Sequence, residues 1–308
     1  MPLPKEYLEY PNRRHGMDHD LYPWSNLFTR RPVEWPNGAK VALWVVPQVE
    51  HFPLDVKAEP FKAPAAMVTP YPDYRTYTVR DYGNRVGIFR IMTVLDKHGV
   101  KASAPTNGVI AERYPFLVEE MVKRDWELVA HGWDMNHLHY GGLDEAAERA
   151  QIKKTVDTLR QASGQAVNGW YSPARSESAN TLHLLPEYGI DYCCDWVNDD
   201  MPYTMSTKAG PLVAMPHSNE IDDYHICIEL GHAEATFEEE VLDAFNLLHK
   251  ESQKYGGRIM QLTLTPYVIG QPFRIKSLDT VLGKILKHKD VGPATGGEVV
   301  KAWQGRGE

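Results

Sequence analysis

Residues 84–104 read NRVGIFRIMTVLDKHGVKASA. Ile88, Met92 and Leu95 recur at helical spacing along Asn84 to His98, Gly99 stops the helix, and Val100-Lys101-Ala102-Ser103-Ala104 follows as a short strand. The same unit then repeats. Ala111 to Arg124 leads into Glu127-Leu128-Val129-Ala130, and Asp144 to Ser163 leads through Gly164 into Ala166 to Tyr171. Ile152, Val156 and Leu159 give the Asp144 to Ser163 helix its apolar face. Leu182 to Tyr188, Gly189 and Ile190 to Cys194 form a further copy, and Leu212 to Met215 reads as another strand. Thr236 with Glu239 has the spacing of a capping box opening a long helix to about Tyr255, after which Gly256-Gly257 turns into the strand Arg258 to Leu264. Strands that alternate with helices pair in parallel, so the pattern predicts an α/β fold of barrel type.

The pattern begins at Val41-Ala42-Leu43-Trp44-Val45-Val46, a buried-strand candidate. Before it, Pro2, Pro4, Pro11, Pro23, Pro32 and Pro36 mark residues 1–40 as a proline-rich arm, and residues 41–308 are read as one domain. Between Phe52 and Tyr82 lies an aperiodic stretch broken by Pro53, Pro60, Pro64, Pro70 and Pro72 and carrying Phe61, Tyr71, Tyr74 and Tyr77. An aromatic connection of that length reads as a functional loop over a site.

Totals exclude several classes. With 33 Lys+Arg against 41 Asp+Glu, a net charge of −8 leaves no electrostatic footprint for a nucleic-acid backbone. Three cysteines, two of them adjacent as Cys193-Cys194, form neither a disulfide framework nor a CxxC metal or redox motif. No apolar run approaches the roughly 20 residues a membrane span needs, and the first forty residues lack a signal-peptide core. A cytoplasmic protein with no membrane or nucleic-acid partner is expected. The arm and the aromatic loop are candidate interface elements, which predicts a homodimer or homotetramer.

In parallel barrels the working groups follow the strands at their carboxyl ends. Those positions hold Gln48, Glu50 and His51, then Thr106 and Asn107, then His131, Trp133, Asp134 and His137. Ser172 and Arg175 follow the fourth strand, Asp195, Asp199 and Asp200 the fifth, His217, Asn219 and Glu220 the sixth, and Thr265 the seventh. So many polar strand ends point to an enzyme acting on a small molecule. His131, between a strand and Gly132, is the clearest candidate base, whereas His137 and His139 are equally readable as surface hydrogen-bonding groups. Trp170, inside a strand, reads as core. Arg175 could instead pair with Asp195 or Asp199, and the acidic pairs Asp199-Asp200 and Asp222-Asp223 could be turn chemistry.

Five segments carry a resemblance: Arg80 to Gly87 (RDYGNRVG), Val129 to Trp133, Gly169 to Arg175 (GWYSPAR), Asn198 to Tyr203 and Pro266 to Arg274 (PYVIGQPFR). In this order they resemble the polysaccharide-deacetylase (NodB-homology) superfamily, and within it the allantoinase-like and cyclic-imide-hydrolase-like branch. The resemblance implies a deformed (β/α) barrel and hydrolysis of a carbon–nitrogen bond. Metal-dependent members of the family place an aspartate after the first strand and a histidine pair spaced i, i+4 after the third. This sequence has Gln48 and Glu50 at the first place, Met135 four residues beyond His131, and Thr265 where the family generally carries histidine. A thioether suits zinc poorly. No cofactor is therefore expected, with one zinc or other divalent ion on Glu50, His131 and His137 as the alternative.

The expected site has Glu50 or His131 as base, Thr265 or backbone amides as oxyanion donors, and Trp133, Asp134, Ser172, Arg175, Asp200 and Glu220 around the substrate. A ring amide activated by a second carbonyl is the easiest substrate for such a site. The leading expectation is opening of a cyclic amide, imide or ureide. A metal-dependent carbohydrate N-deacetylase and a lapsed barrel kept for binding are the competing readings.

Overall fold

The computed structural model describes residues 19–27, 30–55, 61–62 and 72–305. Residues 56–60 and 63–71 of the aromatic stretch, Tyr71 among them, lie outside the described residues, as does the first part of the arm. The chain runs β1 (Val41–Pro47), α1 (Tyr74–Tyr82), α2 (Ile88–His98), β2 (Ser103–Thr106), α3 (Gly108–Arg113), α4 (Pro115–Lys123), β3 (Glu127–Ala130), α5 (Glu145–Ser163) and β4 (Gly169–Trp170). It continues with α6 (Thr181–Leu184), β5 (Tyr192–Cys193), β6 (Tyr203–Thr207), β7 (Gly210–Ala214), α7 (Glu234–Tyr255), β8 (Arg258–Leu264), α8 (Pro266–Ile269), α9 (Ile275–Ile285), β9 (Val291–Pro293) and α10 (Gly296–Gln304).

The longest apolar runs make the centre. β1 and β8 are buried at every position and pair in parallel from Val41↔Arg258 to Pro47↔Leu264. Strands covered on both faces read as continuous rather than alternating apolar runs. β2, β3, β4, β5 and β7 follow as parallel neighbours. Bridges Val45↔Ala102 and Val49↔Thr106 join β1 to β2, so the parallel order is β8-β1-β2-β3-β4-β5-β7. Side chains span the remaining gap: Gln261 Oε1 accepts from Ser218 N at 2.7 Å, and His217 Nε2 meets Thr263 Oγ1 at 2.9 Å. The result is a single-domain deformed barrel.

The helices form as their patterns predict where capping and burial agree. α2 buries Ile88, Ile91, Met92 and Leu95 and ends on Gly99 at φ 64°. α5 opens on Asp144, which accepts from Ala147 N, and ends on Gly164 at φ 71°. Other expectations change. The aromatic stretch is already helical from Tyr74, because Asp73 accepts from both Thr76 N and Thr76 Oγ1 and caps α1. A π-helical turn over Gly83–Gly87 then carries α1 into α2. Ala111 to Arg124 is two helices, broken where Pro115 lacks an amide proton. The Thr236 and Glu239 box does not form: α7 starts earlier, at Glu234, with no side-chain cap.

The described part of the arm packs on the barrel. Val33 and Trp35 are buried, and Trp35 Nε1 donates to Arg258 O at 2.9 Å. Arg30 Nη1 donates to Asp199 at 2.5 Å.

At the amino ends of the strands, Glu127 closes the barrel floor. It accepts from Tyr192 OH at 2.8 Å, Ser103 Oγ at 2.6 Å and Gly297 N at 3.1 Å, tying the start of α10 to β2, β3 and β5. Burial pushes its carboxyl above the ordinary glutamate value. The folded chain therefore keeps this proton to higher pH than the unfolded chain, which loses it near about 4.3. Stability from this group falls as pH rises through the folded value. The unfolding free energy of the wild type is expected to decline relative to Glu127→Gln as pH rises above about 4. Urea titrations at several pH values check this, and parallel curves for the two proteins refute it.

Candidate active site

The exits of β1, β2 and β3 are locked together by one buried amide. Asn107 Oδ1 accepts from His51 N at 2.7 Å, while its Nδ2 donates to His131 O. From the helical side, Asn84 Nδ2 donates to Glu50 O at 2.8 Å. These bonds fix the backbones of Glu50 and His131, whose side chains converge with His131 Nε2 3.4 Å from Glu50 Oε1.

The His131 ring is 1% exposed and stacks on Tyr171 at 4.8 Å with 13° between planes. Its Nδ1 lies 2.7 Å from Tyr171 O. A carbonyl only accepts, so Nδ1 carries a proton, and the other ring nitrogen, Nε2, is the one that faces Glu50. Gly132 makes the turn after this histidine at φ 60°, and a Cβ there would stand 2.3 Å from Pro173 Cγ. The β3 and β4 exits therefore pack backbone against ring. Ala174 (φ 58°) and Arg175 (φ 51°) follow Pro173 in the left-handed region, a conformation that costs energy in non-glycine residues and is held here by the surrounding packing.

Glu50, His131, Arg175, Glu220 and Thr265 all line one cavity of about 400 Å³. Gln48, Met135, Tyr171, Asn219, Asp222, Tyr224, His225, Glu229 and Tyr267 complete much of its wall. Arg175 Nη1 reaches His217 O at 3.5 Å, and neither Asp195 nor Asp199 is its partner: Asp199 pairs with Arg30, and Asp195 accepts from Ser172 N at 2.6 Å. Tyr171 OH accepts from Gln48 Nε2 at 3.2 Å, leaving its own proton for another acceptor. Burial, with Arg175 and His131 nearby, pushes the His217 imidazole well below its ordinary value, so it is neutral. The Glu229 carboxylate, 2.7 Å from His225 Nδ1, raises the His225 imidazole at the wall.

Four predicted substrate contacts lie elsewhere. Trp133 turns outward to Gly108 and α5, where Lys154 Nζ sits 3.1 Å above its ring. Asp134 accepts from His137 Nδ1 at 2.7 Å and from the amides of Asn136 and His137. Burial alone would raise its carboxyl, but these donors hold it below the ordinary range, as suits a turn-forming ion. Ser172 is fully buried with Oγ accepting from Trp170 Nε1 at 2.8 Å. Asp200 is exposed near Asp199, Arg30, Glu251 and Arg258, beside the arm. Thr265 lines the cavity, yet its amide donates to Asp223 Oδ1 at 2.8 Å and its hydroxyl also bonds that carboxylate. Asp223 thus competes with any oxyanion for the hydroxyl proton.

Tyr171 and Tyr267 were missed as wall residues although both lie in the GWYSPAR and PYVIGQPFR segments. His225 and Glu229 carry an i, i+4 signal that strand-end reasoning does not reach, because they sit on a π-helical turn over His225–Glu229.

Residues 72–193 match the family described as Polysaccharide deacetylase. A Schizosaccharomyces pombe protein, named as a candidate polysaccharide deacetylase, is 26% identical, with 90% of this chain and 95% of that one covered. Among solved structures, a probable polysaccharide deacetylase from Pseudomonas aeruginosa PAO1 superposes with a TM-score of 0.81 at 24% identity, covering 92% of this chain and 99% of that one. The allantoinase PuuE superposes with a TM-score of 0.81 at 23% identity, covering 92% and 98%. Over residues 72–193 this chain is similar to the polysaccharide-deacetylase family, and its fold is that of the solved structures just named. These likenesses support a hydrolase acting on carbon–nitrogen bonds. No helix among the described residues is long and apolar enough to cross a membrane.

The divalent-ion site of metal-dependent superfamily members does not fit these residues. The cavity offers His131 and Glu50, but the next position on the histidine turn is Met135, whose thioether lies 3.8 Å from Asn107 Nδ2. His137 does not join them: its ring is held by Asp134 outside the cavity wall. Among the described residues, the two sets of three or more donors within 4.8 Å are His249, His288, Asp290 and Glu177, Cys193, Asp195. Neither includes a cavity residue.

Proposed function

We propose that this protein opens a small cyclic amide, imide or ureide, with His131 and Glu50 activating water directly. The observation that carries the reading is His131 Nε2 3.4 Å from Glu50 Oε1 at the wall of a cavity of about 400 Å³, a volume suited to a single ring. The likeness to an allantoinase supports the ring-opening reaction, and the missing imidazole at Met135 argues against the metal-dependent alternative.

In the proposed reaction, water loses a proton to His131 Nε2 as its oxygen attacks a ring carbonyl carbon. Tyr171 O holds the Nδ1 proton, and Glu50 stabilises the imidazolium across the 3.4 Å gap. Negative charge gathers on the carbonyl oxygen, where the Arg175 guanidinium and the Tyr171 hydroxyl are the cavity's donors. The imidazolium then returns its proton to the ring nitrogen as the carbon–nitrogen bond breaks. The product is a single open-chain molecule that carries a carboxylic acid at one end and, at the other, the amine, amide or urea nitrogen released from the ring.

A panel of allantoin, hydantoin, succinimide and an acetylated chito-oligosaccharide tests the reading. Ring opening that persists after chelation is expected. Acetate release without ring opening, or activity abolished by chelation and restored by zinc, would instead establish the metal-dependent deacetylase.

A further inference from the structure

At the opposite end of the barrel from the cavity, three side chains gather around a point that the proposed reaction does not use. His249 lies on α7, while His288 and Asp290 lie on the turn between α9 and β9. His249 Nε2 is 3.0 and 3.1 Å from the two Asp290 carboxylate oxygens, and one nitrogen or oxygen from each of the three residues lies within 4.8 Å of the others.

Phe245 supplies the backing. It is 1% exposed, stacks on His249 at 5.6 Å and meets His288 edge-on at 5.1 Å. The two imidazoles are 4.8 Å apart and inclined at 60°, so they converge rather than lie flat on each other. An apolar wall behind two imidazoles leaves their nitrogens to face the carboxylate side.

We propose that His249, His288 and Asp290 bind one late first-row divalent ion of the zinc, nickel or copper class. Two imidazoles and a carboxylate supply three ligands, and water completes a tetrahedron. Bonds of about 2.0–2.1 Å place tetrahedral donors about 3.4 Å apart, so modest side-chain rotation contracts the group onto an ion. The backbone gives the ion a structural consequence. Asp290 O accepts from Lys40 N at 2.6 Å and Val41 N at 3.3 Å, so an ion here clasps α7 to the first residue of β1 and the start of β9. Lys250, Lys287 and Lys289 flank the ligands in sequence, which keeps the expected affinity modest.

Calorimetric titration of the chelator-treated, dialysed full chain with zinc chloride tests the site. One bound equivalent is expected, with a melting temperature that rises with zinc concentration. His288→Ala, at an exposed position, and Asp290→Asn, at a partly exposed one, are each expected to weaken binding by about tenfold or more while leaving ring-opening activity unchanged. The proposal is overturned by the absence of a stoichiometric equivalent. It is equally overturned by an equivalent that survives both substitutions, including one lost instead in Glu50→Gln.

Discussion

His131→Asn is expected to lower kcat by about 10²–10⁴-fold, the usual contribution of a positioned base. The asparagine amide still reaches toward Tyr171 O, so the β3 turn keeps its anchor while the Nε2 lone pair disappears. KM should change little, because the wall formed by Arg175, Glu220 and Tyr267 is untouched. Glu50→Gln is expected to cost less, since it removes the charge facing the imidazolium and leaves the base. Steady-state kinetics on the best ring substrate, with circular dichroism as a folding control, separate the cases. A His131→Asn enzyme with near-wild-type kcat would place the base elsewhere.

The largest stability effect is expected at Gly87, on the π-helical turn between α1 and α2. A Cβ at this position would stand 1.9 Å from Pro266 O and 2.7 Å from Pro266 C. Across the same contact a Cβ at Gly270 would stand 2.4 Å from Gly87 Cα. Both obstacles are backbone, which no rotamer change relieves. Overpacking of a well-packed site costs about 1–3 kcal/mol and sometimes more, so Gly87→Ala is expected at or above about 3 kcal/mol. It should also lower kcat/KM, because Pro266 lies between the cavity residues Thr265 and Tyr267. Gly283→Ala on α9 is the matched control. Its Cβ would meet only His98 Cε1 at 3.5 Å, and the helix-propensity gain of about 1 kcal/mol should leave that variant equal to or more stable than wild type. Urea unfolding of both variants measures the contrast; equal midpoints would refute the close-packing account.

That contact also explains what the sequence made legible. Segments RDYGNRVG and PYVIGQPFR are far apart in the chain but supply the two faces of one backbone-to-backbone junction beside Glu50. The resemblance therefore rested partly on residues that build the cavity, beside segments such as Val129 to Trp133 that carry the proposed base. β1 and β8 were legible because strands buried on both faces are uninterrupted apolar runs. β6, β9 and α10 were not, since an antiparallel hairpin arm, a three-residue strand and a helix after proline and glycine leave no repeat of the helix-and-strand unit. Strand-end reasoning brought Glu50, His131, Arg175, Glu220 and Thr265 to one cavity. It misplaced Ser172, Trp133 and Asp134 because position after a strand does not say which way a side chain turns. Ser172 shares the face of Trp170, two residues earlier, and is used up there.

The gap between the antiparallel β6–β7 hairpin, which ends one sheet, and β8 gives the barrel a direction of softness. Every other junction of the ring is zipped by main chain, but here a histidine and a glutamine side chain do the joining. Parting this seam breaks a few side-chain bonds and no ladder. It lies beside the cavity too: one bridge runs through His217, whose carbonyl receives Arg175. A substrate held by Arg175, as proposed, would therefore load a seam of side chains rather than a main-chain ladder, and the wall would yield there before the strands around His131 part.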